Sequence, residues 1–464
     1  VTDATLPQFE LTGVPSAFPA LRREYGLFVA GEWTAGAGAF PAIDPATEET
    51  IASVACASED DVERALRGAR RGYEKHWRKL RPAERAKYLF RFARAVEDRT
   101  RELAAVECRD AGTPIRHARE HDAPLAAATL YYYAGWADKL AWAVRAGERA
   151  RPLGVVAALT GTRAPVLELA CLLGPALAAG NAVVLVPSPD AALSAAVFAD
   201  AALDAGLPPG ILTLVTGDAR TRERILDHRE LDALTLWGSR LECALAARSS
   251  AGLPRRTLVQ PDLPAAVLVF ADAPLEDAAE GIARAAWFPP APGAGAAPRA
   301  FVQEAVFDAV AELVQQRLAT VRWGDPFDEN ADAGPLASRA ACDDAAAYVD
   351  AARAGGARDV ASPRTLPASG YWYAPTMLLG GASGGEPARP VVPLASFRTA
   401  GEALASARDL GRLGSAAVWT ASGQLAASCA ERLGANRTQC NAFGRFEPAA
   451  FDAGSGGVRA YLHT

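Results

Sequence analysis

From residue 152 onward, short apolar runs alternate with helical segments at a spacing that admits few folds. Gly154-Val-Val-Ala-Ala-Leu159 reads as a buried strand. Val166 to Ala179 is an apolar helix closed by Gly180-Asn181, a C-terminal capping signal. Asn181 to Pro187 is a second strand, followed by a helix from Ala191 to Ala205. Ile211 to Val215 and Asp232 to Trp237 are two more strands, the latter running through Gly238-Ser239 into a helix from about Leu241. Continuous apolar strands separated by helices must lie in a parallel sheet covered on both faces. A second series repeats the pattern. It has strands at Ala266 to Phe270, Ala300 to Gln303 and Ser415 to Thr420, with helices at Leu275 to Ala286, Phe307 to Ala319, Ala340 to Ala352 and Ala400 to Ala407. The predicted class is α/β and doubly wound.

Upstream, Leu27 to Trp33 reads as strand and turn, and Asp60 to Gly72, Pro82 to Val96, Arg99 to Arg109 and Ala123 to Leu140 as helices. Residues 1–25 read as a linker or arm. The 464 residues call for two or three domains. A net charge of −6, with Lys and Arg spread throughout, argues against nucleic acid or an anionic membrane as the main partner. The most apolar run, Val166 to Pro187, contains Glu168, Gly174, Pro175, Gly180 and Asn181, too interrupted for a membrane span. No secretion signal is predicted. Cys56, Cys108, Cys171, Cys243, Cys342, Cys429 and Cys440 are scattered without CxxC spacing, the pattern of reduced thiols in a cytoplasmic protein. No metal-ligand spacing is seen among them or the five histidines. The start at Val1 fits either a GTG-initiated product or a domain cut from a longer chain.

Several runs together resemble the aldehyde dehydrogenase superfamily over nearly the whole length. They include Leu27-Phe-Val-Ala-Gly-Glu-Trp33, Asp44-Pro-Ala-Thr-Glu48, Tyr132-Tyr-Ala-Gly-Trp-Ala-Asp-Lys139 and Leu173-Gly-Pro-Ala-Leu-Ala-Ala-Gly-Asn181. Gly324-Asp-Pro-Phe-Asp328, Gly334-Pro-Leu336, Gly370-Tyr-Trp-Tyr-Ala-Pro-Thr376 and Phe397-Arg-Thr399 follow in collinear order. The resemblance implies a Rossmann-like cofactor domain (26–130 and 152–258), a catalytic-type α/β domain (259–435) and a reduced oligomerisation element (131–151 and 436–464).

The same resemblance implies a set of chemical positions, and this sequence departs from most of them. The nucleophilic Cys of the family falls at Ala294, in a Pro- and Ala-rich loop; no Cys lies between Cys243 and Cys342, so a shift in alignment does not restore one. A methyl group cannot add to a carbonyl as a thiolate does. The general base falls at Gln260, whose amide cannot shuttle protons near neutral pH. Asp262, two residues on, reads as a solvated turn residue. The oxyanion Asn falls at Arg163, and the ribose-binding Lys at Val186, followed by Pro189 in place of a Glu. Gly238 and Ser239 preserve part of a phosphate turn, with Cys243 at a later Gly position. Glu386 matches a nicotinamide-ribose ligand without the residues that normally follow it. Cys243, at a helix start, is a candidate for a lowered pKa, and Cys171 for the core.

The expectation is therefore a catalytically inactive domain, most like the non-catalytic domain of two-domain family 16 aldehyde dehydrogenases. Such a domain would need no cofactor and would pack on another aldehyde dehydrogenase domain or on itself. The alternatives are a divergent oxidoreductase using NAD(P), and a ligand-binding module without chemistry.

Overall fold

The computed structural model describes residues 19–145, 148–287, 297–363, 365–380, 387, 389–451 and 457–463. The expected positions Ala294 and Glu386 lie outside these residues. The chain divides into two compact units, one holding 262–446 with 45–47, the other 13–44, 48–261 and 447–464.

The second of these carries a seven-stranded sheet among the described residues. Its strand order is Arg256–Pro261, Ala233–Gly238, Val155–Leu159, Ala182–Val186, Leu212–Leu214, Leu27–Val29 and Glu32–Thr34. The first five strands run parallel, and the last two form an antiparallel hairpin at one edge. Val155–Leu159 and Ala182–Val186 are buried at every position, as strands covered on both faces must be. The helix Pro165–Ala178 is apolar except for Glu168 and buried at every residue. It lies close to the helix Ala123–Ala134, because Gly174 faces the Tyr133 ring; a Cβ there would come 2.6 Å from Tyr133 Cδ2. The predicted helix to Leu140 stops at Ala134 instead. Gly135 ends it, and the chain turns through Trp136 N–H to Tyr133 O at 2.9 Å.

The tail is part of this unit. Leu462–His463 pairs antiparallel with Arg151–Pro152 of the same chain. Tyr461 is buried, its carbonyl accepts from Asn181 Nδ2 at 3.1 Å, and its hydroxyl meets Thr235 Oγ1 at 3.3 Å. Arg256 donates to the Leu462 carbonyl at 2.5 Å.

The other unit holds a second seven-stranded sheet, in the order Arg358–Ala361, Thr376–Leu379, Val391–Phe397, Pro298–Gln303, Ala265–Val269, Ser415–Trp419 and Arg437–Cys440. All pairs are parallel except the first. Strand alternation sorts its residues into two cores. Val267, Val269 and Val302 face the helices Leu275–Trp287 and Phe307–Thr320, whereas Leu268, Phe270 and Phe301 face Ala400–Arg408 and Gly423–Leu433. No described helix is long and apolar enough to cross a membrane.

Candidate functional site

The C-terminal ends of the parallel strands in the first sheet are where an open α/β fold builds a ligand site. Four of the sequence positions belong to that end of the sheet: Val186 ends one strand, Gly238 ends another on the far side of Val155–Leu159 with Ser239 just after it, and Arg163 lies in the loop after Leu159.

The loop 160–164 leads into the helix Pro165–Ala178 through Ala164, which takes a left-handed conformation at φ 46°. Glu168, in the first helical turn, folds back so that Gly161 N–H donates to its Oε2 at 3.1 Å. Arg163 is half-buried in that loop.

Ser239 caps the helix Arg240–Ser250. Its Oγ accepts from Glu242 N–H at 3.2 Å, while Glu242 Oε2 accepts from Ser239 N–H at 2.9 Å and from Ser239 Oγ at 2.9 Å. This is a capping box, in which side chain and backbone satisfy each other's orphan groups. Glu242 lies so close to Gly238 that a Cβ there would meet its Oε2 at 2.6 Å. The other carboxylate oxygen accepts from Arg222 Nη2 at 3.3 Å. Arg222, buried on the helix Ala219–Asp227, also donates from Nη1 to Val186 O at 3.2 Å and Thr160 O at 3.3 Å. Burial depresses its pKa, and Glu242 and Asp190 oppose that shift.

Gln260 lies in the edge strand Arg256–Pro261, opposite Trp237; Asp262 follows the strand's end. Cys243 corrects the suggestion of an activated thiol. It is 4% exposed, and burial with Glu242 beside it pushes the thiol up to about 11. The helix N-terminus does not lower it because the capping carboxylate cancels the positive end. Cys171 is in the core, as expected. Among the described residues, no group of three or more His, Cys, Asp or Glu could hold a metal.

Sequence reasoning missed Glu242 and Arg222. The Ser-x-x-Glu spacing from Ser239 was a readable capping signal. Nothing near Arg222 marks it; only the fold brings it to strands that end 36 and 62 residues earlier in the chain.

A parallel sheet with a strand–Gly-Ser–helix junction at its carboxyl end, in a chain that carries a second α/β unit, defines a dehydrogenase-type architecture. The model of the aldehyde dehydrogenase family matches residues 33–460. The chain belongs to that family. It is 31% identical over 363 residues to an aldehyde dehydrogenase of Alternaria alternata, spanning 76% of this chain and 73% of that protein. Among solved structures, PnpE bound to nicotinamide adenine dinucleotide superposes with a TM-score of 0.87 at 26% identity, over 95% of this chain and 96% of that one. A Cys-to-Ala variant of P. syringae AldA, an indole-3-acetaldehyde dehydrogenase bound to NAD+ and IAA, gives a TM-score of 0.86 at 28% identity over 96% of each chain.

A dinucleotide's pyrophosphate does not fit the junction as it stands. The position beside Gly238 that a phosphate oxygen would take holds the Glu242 carboxylate, and a second anion there meets like charge.

Proposed function

We propose that this chain is a catalytically inactive aldehyde dehydrogenase-family domain with a structural or assembly role. It packs on an aldehyde dehydrogenase domain in the manner of the non-catalytic domain of family 16 proteins. The observation that carries this reading is the absence of any cysteine from 244 to 341, a stretch that includes the whole loop after the helix Leu275–Trp287. The bounding thiols, Cys243 and Cys342, are both buried. Gln260 at the base position, Arg163 at the oxyanion position and Val186 at the ribose position support the same conclusion, as does Ala294 at the nucleophile position.

The second reading is a divergent NAD(P)-dependent aldehyde oxidoreductase. It is favoured by relatives named as aldehyde dehydrogenases and by a structural neighbour bound to NAD. Absorbance at 340 nm with NAD and a panel of aldehydes separates the two. The inactive reading expects a flat trace from the wild type, and also from Ala294→Cys, because a nucleophile without base and oxyanion donor supports no turnover cycle. Steady NADH formation by either protein would overturn it. The assembly role is read separately, by size-exclusion chromatography with light scattering. A complex with an aldehyde dehydrogenase, or with a second copy, is expected; a monomer that ignores both would reject the role.

A further inference from the structure

We infer that Glu242 is an internal substitute for a bound phosphate: its carboxylate occupies the anion place at the strand–helix junction and closes it to nucleotides. The inference rests on the reading that this chain does not use the family's cofactor, and it supplies the physical cause.

Three features of a phosphate site converge on one point. The N-terminus of Arg240–Ser250 presents backbone N–H groups and the positive end of its dipole. Gly238 leaves a space that a Cβ would fill. Arg222 brings a guanidinium held from behind by two strand-end carbonyls, Val186 O and Thr160 O. An anion placed there receives a main-chain donor, a hydroxyl donor and a cation. Glu242 receives all three: Ser239 N–H at 2.9 Å, Ser239 Oγ at 2.9 Å and Arg222 Nη2 at 3.3 Å. It is tethered three residues into the helix, so no ligand from solution matches its effective concentration without a large intrinsic advantage.

The charges around the site agree. Asp190, on the 3-10 turn after Val186, has its pKa raised by burial and by Glu242, with Arg222 opposing. A pyrophosphate entering beside Glu242 and Asp190 would face two carboxylates, with the Arg222 guanidinium already engaged by the first of them. Removal of the Glu242 carboxylate reverses the balance, leaving the buried Arg222 without that carboxylate and the Ser239 N–H without its acceptor.

The test is isothermal titration of NAD, ADP and inorganic phosphate into the wild type, Glu242→Gln and Glu242→Ala. The Gln variant keeps the capping hydrogen bonds while losing the charge, so it guards against a variant that merely unfolds; circular dichroism melts confirm the fold of each. The wild type is expected to show no saturation by ADP at millimolar concentration. Glu242→Ala is expected to bind ADP at least tenfold tighter, and Glu242→Ala with Arg222→Met to lose that gain. Folded Glu242 variants that bind no better than the wild type would overturn the inference and leave the assembly reading standing. Micromolar NAD binding by the wild type itself would overturn the inference and withdraw one support from the inactive reading, whose own test is turnover.

Discussion

Replacing Arg109 with leucine is expected to lower the unfolding free energy by about 3–5 kcal/mol. Arg109, on the helix Thr100–Ala111, is ion-paired with Asp44. Asp44 is 2% exposed and Arg109 8%. At 2% exposure water has little access to the Asp44 carboxylate, so the loss is set by the desolvation of that charge rather than by the pair's net worth. Asp44 also accepts Glu48 N–H through its carbonyl at 2.8 Å and donates its own N–H to Glu49 O at 2.9 Å, which pins the turn carrying the carboxylate. The turn therefore cannot swing Asp44 into solvent cheaply. Urea unfolding followed by far-ultraviolet circular dichroism measures the effect. Arg109→Leu combined with Asp44→Ala should lose less than the sum of the two single changes. A single-variant loss under about 1 kcal/mol would mean that the pair is open to solvent.

The second large effect is a loss of stability with rising pH, centred on the same helix. Asp110 accepts Leu193 N–H at 2.8 Å, and burial pushes its pKa up to about 7 from the ordinary 3.8, with Asp190 adding to the rise. Glu107, one turn earlier, is fully buried; burial, with Asp122 and Glu168 nearby, raises its pKa well above the usual range. Both folded-state pKa values are raised. The folded state therefore holds protons that the unfolded chain releases, and stability falls as pH rises. For Asp110 the contribution is complete below about pH 4 and is lost progressively up to about pH 7, a span of roughly 4 kcal/mol at most. Asp110→Asn should flatten that part of the curve, shown by urea midpoints at pH 5 and pH 7.5. An unchanged slope in this variant would show that Asp110 ionises freely in the fold.

Most of the architecture was legible because buried parallel strands are written as unbroken apolar runs. Val155–Leu159, Ala182–Val186 and Ala265–Val269 all fall within a residue or two of their predicted ends. Val391–Phe397 was not foreseen, since Pro393 argues against a central strand, yet it pairs with strands on both sides. Gly38–Ile43 and Thr50–Cys56 were missed as well; their exposure is mixed, so no clean alternation marks them. The edge strand Arg256–Pro261 is half-exposed along its length and ends at a proline, which conceals it in the same way. At the site, residue identities could be read by position, so Gln260, Arg163 and Val186 stood out. The Glu242–Arg222 contact could not, because it joins two helices 20 residues apart through their tertiary arrangement.

The fastening of Tyr461 and Leu462 to Asn181, Pro152 and Arg256 also bears on the order of events during synthesis. Residues 262–446 form one continuous stretch and can collapse soon after leaving the ribosome. The unit that encloses them in sequence begins first, yet Arg256 meets the Leu462 carbonyl only after some two hundred further residues have been made. Through that interval the Arg151–Pro152 edge lacks its antiparallel partner, while the Asn181 side chain can already hold Ala176 O and Gly154 N–H.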